Sequence, residues 1–73
     1  MTARAPRLDP RPGDRIPTAA GTYEVLDRLG DDGAPAEGGG AVAYRFVSPA
    51  GTASKRVVVS VLTWAALLPE EQP

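Results

Sequence analysis

The sequence predicts a mainly β protein, a small antiparallel sheet followed by a short C-terminal helical turn. Two stretches alternate side chains with a period of two, "AVAYRFVS" at 41–48 and "KRVVVSV" at 55–61. A third, "TYEVLDRL" at 22–29, does so with a slip in phase. The linkers between them are rich in glycine and proline, which end strands and set turns. At 73 residues the chain makes one domain at most. A chain of this size buries only about 60% of the surface its unfolded form exposes, so its margin of stability is thin.

Taken in order, residues 1–12 ("MTARAPRLDPRP") hold three prolines and three arginines, with Leu8 as the sole large aliphatic. Proline fixes φ and removes backbone donors, so this segment reads as a flexible Arg/Pro-rich arm. The single small β domain spans 13–69. It opens with a turn at Pro12-Gly13-Asp14 and a very short strand at Arg15-Ile16 that Pro17 stops. In 22–29, Tyr23 and Val25 share one face while Thr22, Glu24 and Arg28 take the other. Leu26 and Leu29 break that parity, which a β-bulge near Leu26-Asp27 or burial on both faces would explain, with a short helix as the alternative reading.

Residues 30–40 ("GDDGAPAEGGG") contain five glycines, three acids and no large apolar side chain, so they form a mobile acidic loop. In 41–48, Val42, Tyr44 and Phe46 line one face. Pro49 and Gly51 then suit the second turn position and the positive φ of a hairpin exit. On the return, Val57, Val59 and Val61 make one face, and Arg56, Val58 and Ser60 the other. Thr63 reads as an N-cap for a helical turn through Trp64 to Leu68, halted by Pro69. Residues 70–73 form a frayed tail. Trp64 is assigned to the core, because a domain with four aromatic residues has no substitute for its apolar surface.

Several chemistries drop out. With no cysteine there is neither a disulfide nor a thiolate metal site, and with no histidine the commonest general base is missing. "GGGAVA" at 38–43 has dinucleotide-fingerprint spacing but precedes a strand instead of opening a helix, and no Gly-Lys-Ser/Thr exists for a P-loop. Asp31, Asp32 and Glu37 lack the alternation of a calcium loop and read as a solvated acidic surface. No cofactor, metal or catalytic residue is expected, and the chain is not expected to be an enzyme. Arginines at the N-terminus are not followed by an apolar segment, and no run approaches membrane-spanning length, so a cytoplasmic protein without membrane contact is expected. Seven arginines to one lysine, with abundant alanine, glycine and proline, suggest a GC-rich bacterial or phage origin.

The net charge of -1 is unevenly spread. Arg4, Arg7, Arg11 and Arg15 face two aspartates in 1–15, whereas five acids face Arg28 in 24–37. The leading expectation is a non-enzymatic protein-interaction module or small accessory protein. Its candidate partner-binding residues are Asp31, Asp32 and Glu37 in the loop and Arg45 and Arg56 on the hairpin. An exposed strand edge offers a further mode, the addition of a partner's strand. The alternative is a nucleic-acid-binding module using Arg4, Arg7, Arg11, Arg15 and Lys55. Val58 and Val47 point away from the main valine face, so either the sheet curls or a partner covers them. A homodimer through that surface would compensate for the thin core.

In architecture the expected sheet resembles an SH3-like half-open barrel: three to four strands, a long first connection and a single helical turn near the end. The likeness rests on layout and not on a motif, and such barrels serve many functions.

Overall fold

A computed structural model of the chain describes residues 6–68. The elements are β1 (Arg15–Thr18), β2 (Gly21–Leu29), β3 (Ala41–Val47), β4 (Val57–Ser60) and α1 (Val61–Leu67). The strands form one open antiparallel sheet in the order β1-β2-β3-β4, so β1 and β4 are its edges. Among the described residues no helix is long and apolar enough to cross a membrane.

β1 runs through Pro17 to Thr18 and does not stop at Ile16. Val25 N donates to Asp14 O, which sets the alternation of the ladder and turns the Pro17 nitrogen away from β2. The proline therefore costs no sheet hydrogen bond. Thr18 and Gly21 close the β1–β2 turn, with Thr18 Oγ1 donating to Gly21 O at 2.7 Å. Gly21 has φ +149°, and a Cβ there would collide with the Phe46 ring and Val47 O, so the glycine is required.

Of the two explanations for the parity break in β2, the bulge is present, between Val25 and Asp27. Its consequence differs from expectation at Arg28. The inserted residue reverses the parity, so Arg28 stands opposite Val42 on the core side and not with Glu24 on the other face. There its side chain, only 10% exposed, donates to Gly39 O (2.6 Å), Pro10 O (2.9 Å) and Asp9 Oδ1 (3.0 Å). A guanidinium so little exposed needs such partners, and these tie the N-terminal segment and the acidic loop to β2.

The 48–54 turn follows its sequence signals. Gly51 N donates to Ser48 O at 2.9 Å, and Gly51 has φ +91°. β4 begins two residues later than expected, and the helix begins earlier. Ser60, not Thr63, is the N-cap, its Oγ accepting from Thr63 N at 3.1 Å, and Val61 belongs to α1 instead of the valine face. The cap binds the amide three positions along, so a serine at 60 starts the helix where a threonine at 63 would forfeit a turn.

One face of the sheet holds the core: Val25, Val42, Tyr44, Trp64 and Leu68, with Ile16, Tyr23 and Val59 packed beside them. Trp64 is fully buried, as assigned, and the four aromatic rings form one cluster. Trp64 meets Tyr44 at 5.2 Å and Tyr23 edge-on at 5.8 Å, and Tyr23 meets Phe46 at 4.8 Å. Residues 6–10 of the expected arm lie across this core. Pro10 is fully buried, Trp64 Nε1 donates to Pro6 O (3.1 Å), and Arg7 Nε donates to Ala65 O (3.0 Å). The rest of the arm, residues 1–5, and the expected tail lie outside the described residues.

Candidate functional site

The charged candidates divide between opposite ends of the sheet. Asp31, Asp32 and Glu37 are exposed on the loop that joins β2 to β3. That loop is folded on itself: Gly33 N donates to Gly30 O, Gly30 N to Ala34 O, and Ala34 N to Asp32 Oδ1. Among the described residues no group of three carboxylates is placed to share a metal ion. Glu37 and Arg11 line a shallow cavity of about 350 Å³ above Arg28, where two guanidinium groups are balanced by Glu37 and Asp9, so no net field selects an ion.

Arg45 stands four residues along β3 from the loop, roughly 13 Å away along the strand. It belongs to a row that crosses three strands, because Glu24 pairs in register with both Arg15 and Arg45. Arg45 Nε donates to Glu24 Oε1 at 2.7 Å, and Arg15 reaches Glu24 Oε2 at 3.2 Å. The hydrogen bond from Arg45 holds the Glu24 carboxyl below its ordinary value, outweighing partial desolvation, and the charges of both arginines add to it. The chain returns past this row with Lys55 and Arg56 together opposite Arg45, since Tyr44 pairs with Val57 while Ser54 N donates to Phe46 O. Arg56 lies 3.9 Å from Asp27.

Of the remaining nucleic-acid candidates, Arg4 lies outside the described residues. Arg7 is spent on the helix carbonyl of Ala65, and Arg11 pairs with Asp9 at 3.1 Å. The structure thus gathers Arg15, Arg45, Lys55 and Arg56 near one end and leaves Arg7 and Arg11 apart from them.

Among the described residues the outer edge of β4 pairs with no strand. Val61 N donates to Gly40 O, and with Ala41 opposite Ser60 this fixes the alternation along the strand. Val57 and Val59 turn their amides and carbonyls toward β3, whereas Val58 turns both outward, as does Ser60 its N–H. The Ser60 carbonyl begins the helix. Val57 is 37% and Val58 49% exposed, and Leu62 and Leu67 of α1 are exposed as well. Four of the five exposed large hydrophobic side chains among the described residues therefore fall between 57 and 67.

The opposite edge is different. On β1 the outward positions are Arg15 and Pro17, and Pro17 has no N–H to offer. The signal for β4 was present in the sequence as three successive valines, but which amides face outward depends on the register with β3.

No protein-family model matches the chain, and neither the curated proteins nor the solved structures compared with it give a match.

Proposed function

We propose that this chain is a non-enzymatic protein-interaction module that accepts a partner's strand along the outer edge of β4. One observation carries the reading: β4 is an edge strand of β-branched residues with an outward amide, an outward carbonyl and exposed valine side chains. In strand addition the backbone groups supply affinity, and alternate side chains supply selectivity. Asp31, Asp32 and Glu37 at one end and Arg45 and Arg56 at the other are then the charges that a partner meets beyond the edge. An SH3-like curl of the sheet and a role as a cytoplasmic accessory protein of bacterial or phage origin belong to the same proposal.

The second reading, nucleic-acid binding, draws on the gathering of Arg45, Lys55 and Arg56, two of them within 4 Å of a carboxylate. It places binding on charge and predicts a steep loss with salt.

Val58→Pro separates the two. Its missing N–H would be the outward one, so the β3–β4 ladder survives while the edge is blocked. The expected result is that proteins retained by the immobilised wild-type chain after nuclease treatment are lost with Val58→Pro. Retention that ignores the substitution and vanishes with nuclease or moderate salt replaces this reading with the second.

A further inference from the structure

We propose that the strand accepted by β4 is the β4 of a second copy, paired antiparallel about a two-fold axis at Val58. This rests on the strand-addition reading and names its partner. An antiparallel pair places opposing side chains on the same face, so a two-fold axis perpendicular to the sheet must pass through a residue and not between two. An axis at Val59 would need the Ser60 carbonyl, which begins the helix, and one at Val57 would pair Val58 with Arg56 outside the strand, whereas an axis at Val58 opposes two residues that both turn amide and carbonyl outward.

With the axis there, each Val58 donates to and accepts from its counterpart. Val57 of one copy opposes Val59 of the other on the core side. Arg56 opposes Ser60 on the far side, and the Ser60 amide meets the Arg56 carbonyl. No like charges stand opposite one another, so the edge is complementary to itself as it is built. Both α1 helices fall on the same face of the resulting eight-stranded sheet, and the exposed valines of both copies gain neighbours.

The other edge supports closure at two. A chain with two receptive edges would extend into fibres, but Pro17 and Arg15 blunt β1 and leave β4 as the single receptive edge among the described residues. The small core supplies the need, since a second copy contributes apolar surface that the single chain lacks.

The test uses the absence of cysteine in the natural sequence, which makes an introduced thiol the only one. Two Val58→Cys chains would hold their Cα atoms about 5.5 Å apart, within disulfide reach. Two Arg56→Cys chains would be offset by four residues, roughly 13 Å, and out of reach. With oxidised glutathione as oxidant, the expected result is a covalent dimer from Val58→Cys at least tenfold faster than from Arg56→Cys. Light scattering of the unmodified chain should show the mass rising from one chain to two with concentration. Val58→Pro and Val58→Lys, checked for folding by circular dichroism, should each weaken that association at least tenfold. Val58→Lys keeps the amide but sets two ammonium groups opposite one another.

A chain that stays single at every concentration, while its retention of other proteins is still lost with Val58→Pro, overturns the second copy and leaves strand addition standing. A single chain that retains nothing through β4 overturns both. A dimer that cross-links through position 56, or ignores both Val58 substitutions, overturns the two-fold pairing.

Discussion

β1 and β4 are alike in length and position, four residues each at the two margins of one sheet, but they treat the same problem in opposite ways. β1 turns a proline nitrogen and an arginine outward, and residues 6–14 lead into it along the core. β4 turns a valine amide outward and is held on one side by β3 and at its end by α1. Edge strands are aggregation hazards unless managed, so an unmanaged edge beside a managed one points to use. What the pair teaches is that the parity of hydrogen bonding, and not composition alone, decides whether an edge is open.

The largest test of that comparison concerns what holds the two margins together. Trp64 packs on Tyr23 and Tyr44 and donates to Pro6, so it fastens the N-terminal segment to the helix that follows β4. Trp64→Ala should cost about 3–5 kcal/mol. That is of the same order as all the stability a core this small supplies. A urea melt should then lose its cooperative transition; a normal melt would show that the margins stand without this clasp.

Next in size is the contrast within β4. Val59→Pro removes an amide that points at β3, leaves a β3 carbonyl without its partner and should cost about 1–3 kcal/mol. Val58→Pro removes one that points at solvent and should cost under about 1 kcal/mol. Thermal melts of the two variants side by side check the register, and equal losses would mean the alternation along β4 is misassigned.

Pro17→Thr restores an outward amide to β1 and should change stability by less than about 1 kcal/mol. Its expected effect is on association: light scattering should show species larger than those of the unmodified chain, growing with concentration. If nothing changes, the proline is not what blunts that edge.

The smallest effect is the acid response of the charged row. Glu24 has a folded pKa below its ordinary value, so its contribution to stability is fully present above the carboxylate range and is lost as pH falls through it, from about pH 4 downward. Glu24→Gln should flatten that part of the stability–pH curve by removing the contribution at neutral pH, so that the two curves converge in acid. An unaltered curve would mean that the row does not act through this carboxylate.

Much of this was legible in the sequence, for reasons that differ by element. The parity of Val42, Tyr44 and Phe46 announced β3 and put Tyr44 in the core, and Pro49 with Gly51 announced the turn that follows. The parity break at Leu26-Asp27 allowed a bulge or burial on both faces, and did not say that Arg28 would be carried to the core side. That outcome required Asp9, Pro10 O and Gly39 O to be waiting there, and those partners are distant in sequence. The N-terminal segment was misleading for a related reason: its prolines do describe an extended chain, but Pro10 and the Pro6 carbonyl find partners only once Trp64 and Arg28 are in place. The helix start was readable only by weighing two hydroxyl caps, and Ser60 prevails because it lets Val61 and Leu62 join the helix.

The charged candidates were legible as residue types and not as an arrangement. Nothing local says that Arg15, Glu24 and Arg45 form one row, or that Lys55 and Arg56 fall opposite Arg45.

By itself, then, the sequence determined a mainly β domain without thiol or imidazole chemistry, with its turns and its aromatic core, because periodicity, proline and glycine act within a few residues. The tertiary structure alone decided where the chain is open. Whether an amide points inward or outward depends on which residue of a neighbouring strand it faces, and that register is a property of the assembled sheet.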